Sequence, residues 1–485
     1  MLFNSFSFGF FLIITYLLYW IFFNRNVKLR NAFLLAASYF FYGFWDWRLL
    51  SLIVIISASD FLFGYLIDKQ STVANDDSNS KRKSKIYLWS CLIINLGILG
   101  FFKYCNFFIG SFYGLLSLFG SHAEFTPLNI ILPVGISFYT FQGLSYVLDI
   151  YYGKFKPTKD VVAFFAFLSF FPQLIAGPIE RARDLLPQFS ETKKFDYDTT
   201  RKGLFLIAVG LFKKIVIADR LAVYVDSVYG NIAEVQGLPV LVAVLFFCFQ
   251  LYLDFSAYSQ IAIGTAQIFG FKLSTNFNKP YLATSFKDFW SRWHITLTSW
   301  FRDYLYIPLG GNRKGKVRTY VNILIVFTVS GLWHGASWNF VIWGFMNGLF
   351  LAVFDKLFHL RPKNVMAKIA SCLFVVGLWA LSLIFFRAET FGDAMTAWGH
   401  LGFANSQMLY DYGLNAAELH LTIWLLVGLM AVELMLKNYQ DKIETFFFNR
   451  FFPLRWIVYI AIVLSTIYLG VYGIGSDNTF IYFQF

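Results

Sequence analysis

The sequence predicts an all-α polytopic membrane protein, and three observations predict it. Of its 485 residues, 58% are hydrophobic and only 14% are charged, where a globular chain carries charge on about a quarter of its residues. Apolar stretches of roughly 18 or more residues, the length that crosses a hydrocarbon core, recur from end to end. Lys and Arg gather in alternate connections, as they do in cytoplasmic loops. The mean hydropathy of +0.58 agrees.

The elements follow in order. A first span over 7–23 is followed by Arg25, Lys28 and Arg30, the reverse of a secretory leader, so a retained helix is expected. Spans at 31–44 and 50–67 come next, with only Arg48 between them. The polar run "STVANDDSNSKRKSK" (71–85) reads as a mobile cytoplasmic connector. The apolar stretch 86–119 is too long for one straight crossing and should kink, with Lys103 either snorkelling or marking the bend. After 128–151 comes a basic block from Lys154 to Lys202. Inside it lies 161–177, apolar but short and ending at Pro172 and Gly177, which suits a re-entrant element. Further spans are expected at 203–217, 240–271, 320–333, 336–354, 369–386, 421–436 and 456–472. The basic stretches 272–318, 356–368 and 437–455 separate several of them, whereas 388–419 holds no Lys or Arg and reads as an outer excursion with a short helix or lid.

This alternation is expected to place both termini outside the membrane and the basic loops in the cytoplasm. It also explains the net charge of +12 by topology, with anionic lipid headgroups as the partner. The basic residues are spread over several loops, which argues against nucleic acid. Cys91, Cys105, Cys248 and Cys372 stand alone in apolar spans and read as buried free thiols, with no metal-ligand spacing. The 61 Phe suit a lipid-facing surface. No internal repeat or soluble domain is visible, so 1–485 is expected to be one integral domain.

Two histidines carry the candidate chemistry. His334 stands in "SGLWHGASW" (330–338), apolar enough to lie inside the membrane, and an ionisable ring at that depth is costly to keep. Ser330 and Ser337 flank it, and Gly331 and Gly335 are spaced for close helix approach. If the helix continues through Gly335, Trp338 shares the face of His334. Burial keeps such a ring neutral and usable as a base; the alternative is a histidine hydrogen-bonded between helices for packing. His294 lies in "FWSRWHITLTSWFRDYLYIPLGGNRKG" (289–315), among Lys287, Arg292 and Arg302, on what reads as an interfacial helix sharing a face with Trp290. There the arginines could meet the phosphates of a thioester cofactor, or the histidine could be incidental. "PLGGNRKGKVR" (308–318) lacks the context of a phosphate-binding loop and reads as a basic turn. Asp254, a carboxylate in an apolar span, fits structural pairing better than catalysis.

The chain resembles the membrane-bound O-acyltransferases, and within them the bacterial alginate O-acetylase group. The resemblance rests on "LSFFPQLIAGPIERARDLLPQF" (168–189), "LYLDFSAYSQIAIG" (251–264), the 289–315 run, "SGLWHGASWNFVIWG" (330–344) and "FIYFQF" (480–485). It implies a bacterial inner or plasma membrane, and a ring of about 11–12 tilted helices, with re-entrant elements, around a central tunnel. It implies that His334 is the family's membrane histidine, required for acyl transfer, and that His294 is a second family histidine on the cytoplasmic approach. The donor would be a cytoplasmic thioester, acetyl-CoA or an acyl carrier, arriving as substrate with no tightly bound cofactor and no metal. The acyl group would leave on a hydroxyl at the outer face, with an extracytoplasmic, hydrolase-like (SGNH-type) acetyltransferase partner completing O-acetylation of a polysaccharide. Asn339 or backbone N–H groups are candidate oxyanion donors. D-alanyl transfer to teichoic acid and peptidoglycan acetylation remain alternatives on the same fold. A proton-coupled transporter using His294, Asp254 and His334 as a relay is the alternative of another class, against which the missing inverted repeat counts.

Overall fold

Backbone groups in hydrocarbon must be satisfied within the chain, which leaves helices as the elements of this sequence. The computed structural model describes residues 1–73, 78–120, 125–354, 364–449, 452–472 and 480–481. Among the described residues no strand forms, and one isolated bridge joins Gly237 to Leu401. Seven helical segments among the described residues are long and apolar enough to cross a membrane: Phe6–Phe23, Val27–Gln70, Ser78–Leu118, Leu238–Ile268, Val365–Arg387, Ala416–Lys437 and Phe452–Leu469. The chain is an all-α, multi-pass membrane protein, and the other expected spans fall wholly or partly in helices outside these seven.

One compact unit comprises Met1–Leu204 with Ala262–Ser274. It begins with α1 (Phe6–Leu18), whose first turn receives the Ser5 hydroxyl as cap, and α2 (Val27–Asp46), capped by Asn26. α3 (Leu50–Val73) and α4 (Ser78–Leu99) follow. The connector expected over 71–85 is therefore helical at 71–73 and 78–85, and 74–77 lie outside the described residues. The kink expected in 86–119 is a π-helical turn, Gly100–Tyr104, between α4 and α5 (Cys105–Leu118). Lys103 sits in that turn and donates from Nζ to Ser137 Oγ at 3.3 Å.

The span expected at 128–151 is shorter than its hydropathy suggested. Residues 127–133 have no regular structure, and α6 (Ile136–Tyr151) starts only after Gly135. Pro133 has no N–H to give a helix, and Gly135 is left-handed at φ 77° with its Cα against the backbone of Leu174 and Ile175. A side chain fits neither that conformation nor that space. Where a re-entrant element is expected, over 161–177, the chain forms the short α7 (Val161–Ser169) and then a buried turn at 170–177. α8 (Ala182–Leu185) and the start of α9 (Tyr197–Phe212) complete this unit with Glu180, a buried carboxyl that accepts hydrogen bonds from Ser274 N and Oγ.

The second unit comprises Phe205–Ile261 with Thr275–Phe485. After a π turn at Lys213–Ala218 come α10 (Asp219–Gly230) and most of α11 (Leu238–Ile268). Two short helices, α12 (Phe286–Trp290) and α13 (Ile295–Phe301), precede α14 (Lys316–His334) and α15 (Trp338–Leu349). Then come α16 (Val365–Arg387), α17 (Phe391–Gly399), α18 (Ala416–Asn449, with a kink at Tyr439) and α19 (Phe452–Leu469). The stretch 388–419 carries the short helix expected there: α17 begins with a Thr390–Asp393 capping box. His400 Nδ1 lies 3.1 and 2.9 Å from the carbonyls of Ile232 and Val235, so that nitrogen carries the proton. The core of this unit is aromatic, built on Trp293, Trp343 and Trp379. Cys91 and Cys248 are buried as expected, while Cys105 and Cys372 are half-buried; none is in a disulfide.

Candidate active site

α14 and α15 form a tight antiparallel hairpin, and its tightness comes from glycine. Gly331 and Gly344 face each other so closely that a Cβ on either would come within 2.9 Å of the other's Cα. The partner of Gly331 is thus on α15. Gly335, its expected companion, meets the Phe340 ring instead. The helix does not continue through Gly335, which is extended at φ −159°, ψ 149°. His334 is the last helical residue. Trp338 opens the next helix at 57% exposure and does not share a face with His334; two consecutive extended caps replace the uninterrupted turn that the spacing allowed.

The His334 ring is enclosed by other rings. Centroids of Trp333, Trp343 and Phe386 lie 5.0, 5.1 and 5.6 Å away, all edge-on. A further neighbour is His294, at 6.4 Å between centroids and 66° between planes. Two imidazoles forty positions apart in the chain therefore share one buried site, with His334 at 5% and His294 at 1% exposure.

His294 arrives there by a break in the chain. The interfacial helix expected across it is two short helices, and His294 between them is left-handed at φ 40°, ψ 53°. Trp290 and His294 do not share a helical face. A left-handed histidine costs on the order of 1–3 kcal/mol and persists where its surroundings fix it. Trp293 supplies one anchor, packed among Phe277, Phe289 and Trp379. The His294 ring then meets Phe255 of α11 at 4.7 Å and Trp333 at 6.0 Å. It lies outside the seven crossing segments, and burial pushes its imidazole down to about 3, so it is uncharged at neutral pH.

The other candidates fall elsewhere. Asp254 is paired, as structural logic favoured: Lys214 Nζ lies 2.6 Å from its Oδ1 and 2.8 Å from Asp219, and the Ile481 N–H donates to its Oδ2 at 2.7 Å. The Phe480 ring covers the same ammonium at 4.6 Å. These are the described residues of the 480–485 motif; 482–485 lie outside them. Asn339 donates its amide to the Ala388 carbonyl at 3.0 Å, which ties the end of α16. The 308–318 segment is a turn closed by Asn322 Nδ2 on the Gly311 carbonyl, and it leads into α14 without a preceding strand. Among the described residues no group of three or more His, Cys, Asp or Glu is placed to hold a metal. The sequence reading missed Phe255, Trp343 and Phe386 as walls of the site, because each is an ordinary apolar residue until folding brings it there.

A family model for the membrane-bound O-acyltransferases matches residues 158–388, the stretch that holds both histidines. A protein named "Probable alginate O-acetylase" from Azotobacter vinelandii is 38% identical over 393 residues, 81% of this chain and 76% of its own. The chain belongs to the membrane-bound O-acyltransferase family. It is accordingly an acyltransferase, which sets aside the transporter reading. A peptidoglycan O-acetyltransferase of Helicobacter pylori is 36% identical, covering 76% of this chain and 73% of its own. A teichoic acid D-alanyltransferase of Bacillus subtilis is 28% identical, covering 57% and 77%.

Proposed function

We propose that this acyltransferase moves an acetyl group from a cytoplasmic thioester, acetyl-CoA or an acyl carrier, to a hydroxyl, for O-acetylation of an extracytoplasmic polysaccharide. The observation that carries the reading is the buried pair, His334 and His294, 6.4 Å apart within an aromatic enclosure. Neutral His334 takes the proton of the incoming hydroxyl, and the freed oxygen attacks the thioester carbonyl carbon. The tetrahedral adduct collapses, the C–S bond breaks, and the imidazolium returns its proton to the departing thiolate sulfur. Positioned bases of this kind contribute on the order of 10²–10⁴ in rate.

Uncharged His294 complements this step. Two charged imidazoles at that spacing would repel, whereas a neutral ring can turn an N–H toward the oxygen on which charge develops. With the Asn339 amide bonded to Ala388, His294 is the better donor. Acetyl is favoured over D-alanyl because the alginate and peptidoglycan O-acetylating relatives match at 38% and 36% identity and the D-alanyl relative at 28%. An apolar aromatic wall also suits a small uncharged acyl group better than an ammonium-bearing one. In this reading the basic loops face the cytoplasm of a bacterial inner membrane, both termini lie outside, and an extracytoplasmic acetyltransferase receives the group.

The test uses membranes carrying the full chain, labelled acetyl-CoA and mass spectrometry of surface glycans. His334→Ala should lower acetyl incorporation by about 10² or more, with the protein still folded. Full incorporation by folded His334→Ala sinks the reading; incorporation of D-alanine in place of acetyl transfers it to the teichoic-acid chemistry.

A further inference from the structure

We infer that Asn276 is a positioning residue for the acyl-transfer reaction, holding His294 in the left-handed conformation that presents its ring to His334. The inference rests on the proposed role of His294. It starts from a missing cap. The residue before a helix normally supplies a side-chain acceptor for the first free N–H groups, and Ser, Thr, Asp or Asn does this best. At α13 that residue is His294, which is left-handed and makes no side-chain cap. A ring folded back to cap the helix could not also meet another ring.

Asn276 takes over the duty from eighteen residues away. Its backbone carbonyl accepts the Ile295 N–H, the first of α13, at 2.9 Å. Its side-chain Oδ1 accepts the Thr296 hydroxyl at 2.6 Å, one residue further on. Its Nδ2 donates to Ser259 Oγ on α11 at 3.2 Å. Two residues along, the Asn278 N–H donates to the Arg292 carbonyl at 2.9 Å, and Arg292 returns a guanidinium N–H to the Asn278 carbonyl. The chain is therefore gripped on both sides of His294, at 292 and at 295–296, by one short segment. Asn276, Ser259, Thr296 and His294 are all buried, so water does not compete for these bonds.

The anchoring end of this chain of bonds matters as much as the grip. Ser259 stands one helical turn beyond Phe255, whose ring touches His294. α11 thus sets both the wall against the His294 ring and, through Ser259 and Asn276, the backbone that aims it. Breaking the link leaves the ring free to follow a relaxed backbone, and small misplacements at a reacting centre cost rate far more than binding. These bonds act on the placement of the His294 ring, so the loss should fall on turnover.

The experiment measures acetyl transfer from labelled acetyl-CoA by membranes carrying the full chain, with Asn276→Ala, Thr296→Val and Thr296→Ser each made in the wild type and in His294→Gln. Asn276→Ala should lower kcat about tenfold to a hundredfold, with the KM for acetyl-CoA within about twofold and thermal stability nearly kept. Thr296→Val should fall part of the way and Thr296→Ser, which keeps the hydroxyl, should recover. In the His294→Gln background Asn276→Ala should add little, because a residue acting through His294 has nothing left to position. A loss undiminished in that background, or full activity of both Asn276→Ala and Thr296→Val where His294→Gln is impaired, overturns the inference alone. Full activity of His294→Gln overturns the proposed role of His294 and this inference with it.

Discussion

Gly344→Ala is the smallest change that should disable the site without touching it. A Cβ built there lies 2.3 Å from the Phe327 carbonyl oxygen and 2.9 Å from the Gly331 Cα, both backbone atoms that cannot swing aside. Ordinary contact begins near 3.4 Å, so the two helices must part by about 1 Å. Overpacking of this kind costs roughly 1–3 kcal/mol. The functional loss should be larger, because His334 ends the displaced helix while Trp343 and its partners stay with the other. A shift of about 1 Å at a reacting centre is worth about 10² in rate. The assay is labelled-acetyl incorporation beside thermal unfolding of the purified protein. Gly377→Ala is the control: it lies on α16 with nothing within 4 Å of the built Cβ and should leave both readouts unchanged. Wild-type transfer and melting by Gly344→Ala would refute the claim that this glycine contact fixes His334.

Two further outcomes test the electrostatics. The His294 imidazole is held near 3 in the folded protein against an ordinary 6.5, so the unfolded chain binds the proton more readily between those values. Stability is complete above about pH 6.5 and falls on acidification by about 1.4 kcal/mol per unit; melting at pH 7.5 and 5.0 should show this slope for the wild type, and His294→Gln should flatten it. Lys214→Met leaves Asp219 and Asp254 buried without their ammonium and should cost roughly 3–5 kcal/mol, with Asp254→Asn added to it restoring part. An unchanged melting curve for Lys214→Met would contradict that.

Much of this was legible in the sequence because it depends on local composition. The apolar spans, the bend near Lys103 and the short stretch ending at Pro172 all announce themselves through hydropathy and residue type. His334 and His294 stand out as rings that are costly to bury. What the sequence hides is where helices stop for tertiary reasons. Hydropathy alone carried the expected span through 128–135, although Pro133 and Gly135 already argued for a later start. The α-helical periodicity linking Trp290 to His294 fails because the chain turns left-handed at 294, a conformation paid for by Trp293 and by bonds to 276–278. Asn276 itself carries no signal, since its partners are 17, 19 and 20 residues distant.

The seat of Asp254 has a consequence for biogenesis. Lys214 precedes Asp254 by forty residues, so its counter-ion is already in the chain when α11 is made. Its second oxygen waits for the Ile481 amide, 227 residues later. The buried seat of this anion is therefore complete only once residues 480–481 have folded onto α11, which ties the last described part of the chain to the middle of this unit.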